Sequence, residues 1–263
     1  MERHDAWQPL AELLADARAA VAFTGAGVST ESGIPDFRSP QGVWARYDPR
    51  DFTFSRYVGD PVVRARAWRM RREFWADDPR PNPAHGALAD LEQAGRLLGV
   101  VTQNIDGLHQ AAGSRQVVEL HGTSREVMCL GAAPRAGTPD GCGWRGPTRW
   151  AFDVIDCGVA DPRCPTCGGI VKSATVSFGQ NLFPGVLERA STLVEAADLV
   201  IAIGSSLRVR PAADLPAAAV RSGTALAIVN DEATPLDQMA DLVVTGRAGS
   251  VLPAATAAAI GRP

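Results

Sequence analysis

Short apolar runs recur along the chain, at 20–23, 98–101, 117–120, 174–178, 199–203, 225–229 and 242–244. They are brief and rich in β-branched residues, which favours buried strands over buried helix segments. Apolar positions at helical spacing separate several of them. This spacing predicts helices over 6–18, with Asp5 as N-cap, and over 83–95, 184–196, 211–221 and 249–260. Wholly apolar strands alternating with helices predict an α/β fold with a doubly wound parallel sheet covered on both faces.

Two regions break the alternation. Residues 45–82 are rich in Arg, Trp, Phe and Pro, with helical character at 61–75, and residues 123–171 hold every cysteine among many Gly and Pro. Both read as inserts. The expected organisation is a dinucleotide-binding core of residues 1–44, 83–122 and 172–263, with a small domain made of 45–82 and 123–171. No internal repeat is visible.

Composition narrows the class. With 263 residues, 46% of them hydrophobic, and a net charge of −3, the chain can bury a substantial core and is not disordered. No run approaches the roughly 18–20 apolar residues a membrane span needs. The charged N-terminus shows no secretory signal, and a pI near 5.8 gives no footprint for nucleic acid. Lys172 is the only lysine, which reads as compositional bias. The five cysteines are Cys129, Cys142, Cys157, Cys164 and Cys167. Clustered in a long chain, they point to a metal site in a reducing cytoplasm rather than a secreted disulfide framework.

Four motifs carry candidate chemistry. Thr24-Gly25-Ala26-Gly27-Val28-Ser29 follows the first strand, where glycines let backbone approach a pyrophosphate and a following helix would face its charge. The spacing departs from G-x-G-x-x-G, because position 30 is Thr30 and the next glycine is Gly33. The loop Glu31–Arg38 combines an acid, an aromatic and a base, and Ile34 and Phe37 would be costly there if merely solvated. Gln103-Asn104-Ile105-Asp106 follows another strand, on the rim where open α/β sheets bind ligands. Asp106 alone could be a helix cap. His121 ends the next strand on the same rim, where an imidazole suits general-base work. His4, His85 and His109 are weaker candidates.

The cysteines give the strongest local signal. Cys164-Pro165-Thr166-Cys167-Gly168-Gly169 is a C-x₂-C knuckle, and Cys129 with Cys142 forms a looser second pair. Four thiolates would hold a structural Zn²⁺. Cys157 is either a spare thiol or a replacement for Cys129 or Cys142.

Taken in this order, these residues resemble the sirtuins, NAD-dependent protein-lysine deacylases, in their bacterial form. The likeness runs from about residue 18 to 255. Gly25 to Arg38 follows the family's G-A-G-[IV]-S-x-x-S-G-I-P-D-F-R without a gap, and Gln103–Asp106 its Q-N-[IV]-D. His121-Gly122 matches the catalytic H-G, Cys164–Gly169 the zinc ribbon, Gly204-Ser205-Ser206 the late G-[ST]-S, and Asn230 the ribose-contacting asparagine.

The resemblance implies a Rossmann-like domain with a small domain of zinc ribbon and helical insert. NAD would be co-substrate and Zn²⁺ structural, bound by Cys129, Cys142, Cys164 and Cys167. Acyl groups, acetyl first, would leave protein lysines as O-acyl-ADP-ribose, with nicotinamide released. His121, Asn104 and Asp106 would be catalytic, His121 deprotonating ribose hydroxyls. Cofactor contacts would come from Gly25, Ala26, Gly27, Ser29 and Thr30, from Asp36, Phe37 and Arg38, and from Gln103 to Asp106 including Ile105. Gly204, Ser205, Ser206, Asn230 and Ala248 would complete them. The acyl-lysine peptide would add as a strand near Val176, Ser177, Phe178 and Gly179.

Three departures stand out. The family's F-G-E is Phe178-Gly179-Gln180 here, and the preceding Pro-Asp is Ser173-Ala174. The first cysteine pair is stretched. Branches that remove succinyl or malonyl groups carry Tyr-x-x-Arg where this chain has Trp68 and Arg71, so the resemblance adds these two to the substrate contacts, Arg71 as a partner for an acidic acyl group; a solvated face is the favoured reading of the rest of this arginine-rich helix. The expected partners are acyl-lysine proteins or peptides, with no nucleic acid and no membrane, in the cytoplasm. The rival readings are a protein mono-ADP-ribosyltransferase on the same fold and a non-catalytic NAD sensor.

Overall fold

A computed structural model describes residues 7–261 apart from Arg38, Gln41, Asp77, Ala133 and 135–140, and apart from the side chains of Trp75 and Ala76. The expected cap Asp5 lies outside the described residues. The strands are β1 (Ala20–Thr24), β2 (Leu97–Thr102), β3 (Val117–Glu119), β4 (Gly122–Gly131), β5 (Arg145–Pro147), β6 (Ile170–Thr175), β7 (Leu199–Ile203), β8 (Ala225–Asn230) and β9 (Leu242–Thr245). The helices are α1 (Gln8–Asp16), α2 (Val43–Arg46), α3 (Phe54–Gly59), α4 (Pro61–Ala76), α5 (Pro83–Gln93), α6 (Leu108–Ala111), α7 (Thr148–Asp156), α8 (Val186–Glu195), α9 (Asp214–Arg221) and α10 (Ala248–Ala259).

Six strands form one parallel sheet in the order β3-β2-β1-β7-β8-β9. Successive residues of a strand point to opposite faces, so each strand must be apolar throughout to be covered twice. In β1, Ala20 and Ala22 pack with α1, α5 and α10, while Val21 and Phe23 pack with α8 and α9. The order reverses between β1 and β7, and that topological switch opens a crevice at the strands' C-terminal ends.

The second sheet is antiparallel, in the order β5-β4-β6. One face, with Val127, Cys129 and Val171, covers Trp68 and Phe152; the other, with Met128, Leu130 and Ala174, covers Phe54 and Tyr57. Arg64 is buried and paired with Asp161 at 2.9 Å, and also donates to the carbonyls of Tyr57 and Val58, which ties α3 and α4 to the cysteine-bearing segment.

Three expectations need correction. The run 174–178 is not a strand of the parallel core: β6 ends at Thr175 and pairs antiparallel with β4. Burial on both faces makes either strand type look the same in sequence. The expected return to the core at residue 172 therefore falls inside a strand of the smaller sheet. Lys172 is more than compositional bias, because it is fully buried in that strand. Its Nζ donates to the Ser173 and Thr175 carbonyls, and burial, with Arg71 nearby, holds its pKa well below the ordinary lysine value.

Candidate active site

Glycine makes the crevice possible. A Cβ on Gly25 or Gly27 would lie 2.8 Å from backbone atoms of Gly204, and one on Gly204, at φ +57, would lie 2.3 Å from the Val28 nitrogen. The loops after β1 and β7 thus pack backbone against backbone, joined by Gly27 N–H to the Gly204 carbonyl at 2.8 Å. The turn continues as a 3₁₀ helix, Ala26–Ser32, rather than the α-helix expected after such a motif, and Gly33 ends it in the left-handed region at φ 85.

A cavity of about 1220 Å³ opens at this switch and runs between the two sheets. It exceeds the roughly 300–1,000 Å³ of ordinary ligand pockets. Gly25, Ala26, Gly27, Ser29, Thr30, Asp36 and Phe37 line it, as do Gln103 to Asp106, Gly204, Ser205, Ser206, Asn230 and Ala248. His121, Arg71 and Val176 to Gly179 line it as well. Arg38 lies outside the described residues. Phe37 is 40% exposed and packs on Trp44, ring centroids 5.2 Å apart, so its apolar surface faces the cavity rather than a core.

His121 occupies the junction between the sheets, just after β3 and before β4. Gly122 makes that junction tight: its φ is +73, and a Cβ there would lie 2.1 Å from the Ala174 carbonyl oxygen. The His121 Nδ1 lies 2.8 Å from the Gln103 carbonyl oxygen. A carbonyl only accepts, so Nδ1 carries the proton and Nε2 keeps its lone pair. Burial lowers the His121 pKa from the usual 6.5, against the opposing effect of that hydrogen bond. The imidazole is therefore a neutral base at pH 7.

Asn104 is held on both amide hydrogens: Nδ2 donates to Ser29 Oγ at 3.0 Å and to the Gly25 carbonyl at 3.2 Å. Its remaining polar side-chain atom is the acceptor Oδ1. Asp106 accepts from Ser29 Oγ at 2.8 Å, and its other oxygen accepts from the Leu108 N–H at the start of α6. Gln103 Nε2 donates to Ser205 Oγ at 2.8 Å, bridging the rims of β2 and β7.

Sequence reasoning undervalued His85 and His109. Both are buried beneath this rim with ring centroids 4.8 Å apart. His85 accepts from Asn82 N–H at Nδ1 and turns Nε2 toward Ser29 Oγ at 3.5 Å. The signal was present in Asn82-Pro83-Ala84-His85, an N-cap with histidine at N3, whose side chain closes a capping box on α5.

The structure moves Trp68 out of the expected substrate contacts. It is 1% exposed, packs beside Cys129 and Cys164, and is absent from the cavity lining. An indole this large is worth more as core than as a rim. Arg71 does line the cavity and donates to the Ala67 carbonyl at 3.2 Å. Phe178 is half exposed, and its backbone is already bridged to Thr53. Gln180, at the departure from F-G-E, accepts from Ser177 N–H at 3.1 Å.

The Sγ atoms of Cys129, Cys142, Cys164 and Cys167 all lie within 4.8 Å of one another. Two of the Sγ pairs are 3.5 Å apart, close to the roughly 3.8 Å edge of a tetrahedron with thiolates ~2.3 Å from Zn²⁺. The donor set and spacing fit that ion. Cys157 is exposed at the end of α7, outside the cluster, so it replaces neither partner.

This architecture defines a dinucleotide-binding α/β protein with a four-cysteine module beside its cleft. The family model described as Sir2 family matches residues 25–211. The chain is 48% identical over 237 residues to NAD-dependent protein deacetylase 2 of Streptomyces coelicolor, covering 88% of this chain and 94% of that one. It is 42% identical over 251 residues to NAD-dependent protein deacetylase 1 of Pyrobaculum aerophilum, covering 95% and 93%. A solved Sir2 with a deacetylated p53 peptide and 3′-O-acetyl ADP-ribose superposes with TM-score 0.84 at 37% identity, over 93% of this chain and 95% of that one. One with a p53 peptide and NAD⁺ gives 0.80 at 37% identity, over the same shares. The chain belongs to the Sir2 family, the sirtuins.

Proposed function

We propose that this protein is an NAD-dependent protein-lysine deacylase, with acetyl the first acyl group to test, producing free lysine, nicotinamide and O-acyl-ADP-ribose. The observation that carries the reading is His121, fixed in the Nδ1–H tautomer on the rim of a cavity that gathers nearly every family motif residue. Bound NAD would supply an electrophilic anomeric carbon, a leaving nicotinamide and a ribose that accepts the acyl group.

The chain's own groups have complementary work. Gly25 to Thr30 and Gly204 to Ser206 would hold the dinucleotide, with Asn230 and Ala248 at its far end. His121 Nε2 would take a ribose hydroxyl proton. Asn104 would present Oδ1 to a hydroxyl or water, and Asp106 would orient the same region through Ser29. Phe37 would keep water from the reacting carbon. The peptide backbone would run along Val176 to Gly179, a mode tolerant of side-chain sequence. The four cysteines would hold Zn²⁺ as a closed structural site.

A second acyl class has one observation in its favour: no ion pair to Arg71 is found among the described residues, although it lines the cavity. An acidic acyl chain could occupy that guanidinium. The small domain would consist of the inserts 45–82 and 123–171 together with the rest of β6, through Thr175. A cytoplasmic location fits the thiol cluster. Among the described residues, no helix is long and apolar enough to cross a membrane.

The test is an acetyl, propionyl, succinyl and long-chain peptide panel with NAD, read by nicotinamide release and mass spectrometry. Loss of acyl mass supports deacylation, gain of ADP-ribose the transferase, and no nicotinamide release with intact NAD binding the sensor. Succinyl preference lost in Arg71→Ala would overturn the acetyl-first ranking.

A further inference from the structure

Strands β1 and β2 end on a registered pair, Thr24 and Thr102, whose Oγ1 atoms are 2.8 Å apart and buried. Thr24 Oγ1 also lies 2.9 Å from His109 Nε2. Thr102 Oγ1 accepts the backbone N–H of Asn104 at 3.0 Å. These contacts form one chain from a buried imidazole to the loop that carries Asn104.

The polarity of the chain follows from the threonine pair. His109 Nδ1 is buried with no hydrogen-bond partner. If Thr24 donated to Nε2, the ring proton would sit on Nδ1 as an orphaned buried donor. The Thr24 hydroxyl donates to Thr102, so its contact with the ring is made by His109 Nε2–H donating to Thr24, and Nδ1 keeps an unpaired lone pair. The ring is neutral, since burial, with His85 beside it, lowers the His109 pKa to about 3.

We infer that His109 is a positioning residue that acts through Thr24 and Thr102 to set the height of the Gln103–Asp106 loop over the cleft. This rests on the deacylase reading for its kinetic test but not for its structural one. Asn104 is then held twice. His109, through the threonines, fixes its backbone; Ser29, with His85 behind it, fixes its amide. The same loop supplies the Gln103 carbonyl that sets the His121 tautomer. Loss of the His109 donor would therefore misplace Asn104 Oδ1 and His121 together, while the segment Val176 to Gly179 stays in place.

The relay is tested in the full-length protein. Imidazole ¹⁵N shifts in the wild type should show His109 protonated on Nε2 and bare on Nδ1 at pH 7. An Nδ1–H ring would reverse the relay and overturn the inference whatever the enzyme does. In kinetics, His109→Leu and Thr24→Val should each lower kcat roughly 10–100-fold, with the peptide KM within about twofold. The double variant should lose no more than the worse single one, since both cut one chain. His109→Gln, which restores an N–H near Nε2, should recover most of the rate. Losses that multiply, or kcat unchanged in folded His109→Leu, would refute the relay. Wild-type protein that releases no nicotinamide would defeat the deacylase reading and leave the NMR result to decide the relay.

Discussion

At the scale of single residues, the site depends on one proton and a few missing methyl groups. The proposed role of His121 as base requires a neutral ring with Nε2 free, and burial keeps its pKa below the usual 6.5. Activity should hold level from pH 8 down to about 6.5 and decline only on the acid side of that value. A decline that begins above pH 7 would contradict the assignment. Replacing the ring in His121→Ala should lower kcat about 10²–10⁴-fold with NAD affinity unchanged by calorimetry. Gly204 is the matching structural test. A Cβ there meets the Val28 nitrogen at 2.3 Å, in a backbone with φ +57. Gly204→Ala should cost about 2–4 kcal/mol in urea unfolding, because the two loops at the switch would have to part. The motif glycines were legible in the sequence. Their role as spacers between two backbones was not, since the partner of Gly25 and Gly27 lies far along the chain.

At the scale of elements, the four-cysteine cluster and the helices around it behave as one packed unit. Trp68 and Phe152 pack against Cys129 and Cys164, and Arg64 joins α3 and α4 to Asp161, just ahead of the knuckle. Purified protein should carry one Zn²⁺ per chain by elemental analysis, and Cys157→Ser should leave that ratio unchanged. Chelation or Cys164→Ser should lower the Tm and cost on the order of several kcal/mol, with loss of structure spreading into α3 and α4 by hydrogen exchange. Exchange confined to the knuckle would show the cluster to be independent of the helices. The C-x₂-C knuckle could be read locally because its geometry is local. Assigning Cys142 rather than Cys157 required the fold, since spacing permitted either. Trp68 was misread for a related reason: helix spacing puts it near Arg71 but does not say that the cysteine module waits on its side.

At the scale of the whole molecule, the two sheets meet at His121, and beneath the cleft two neutral histidines, His85 and His109, are buried side by side. His109, at about 3 against an unfolded value near 6.5, binds its proton more weakly when folded. The unfolded chain therefore takes up more protons as the solution becomes acidic. The stability this group confers is complete above about pH 6.5 and is lost progressively as pH falls toward 3, by up to a few kcal/mol. His85 shifts in the same direction through burial, opposed by Asp106. Urea midpoints measured from pH 7.5 to 4.5 should fall more steeply for the wild type than for His109→Leu. Equal slopes would show that the ring is not buried in its neutral form.

The sequence by itself determined the alternation of buried strands and helices, the family motifs and the chemistry available to them, because periodicity and short-range spacing are local properties. Tertiary structure decided where β6 belongs, since a strand buried on both faces has the same pattern in either sheet. It also decided which four of five thiols converge, and it joined His109 to Asn104 through Thr24 and Thr102. Those contacts pair residues from different strands and loops, and only packing sets the distances between them.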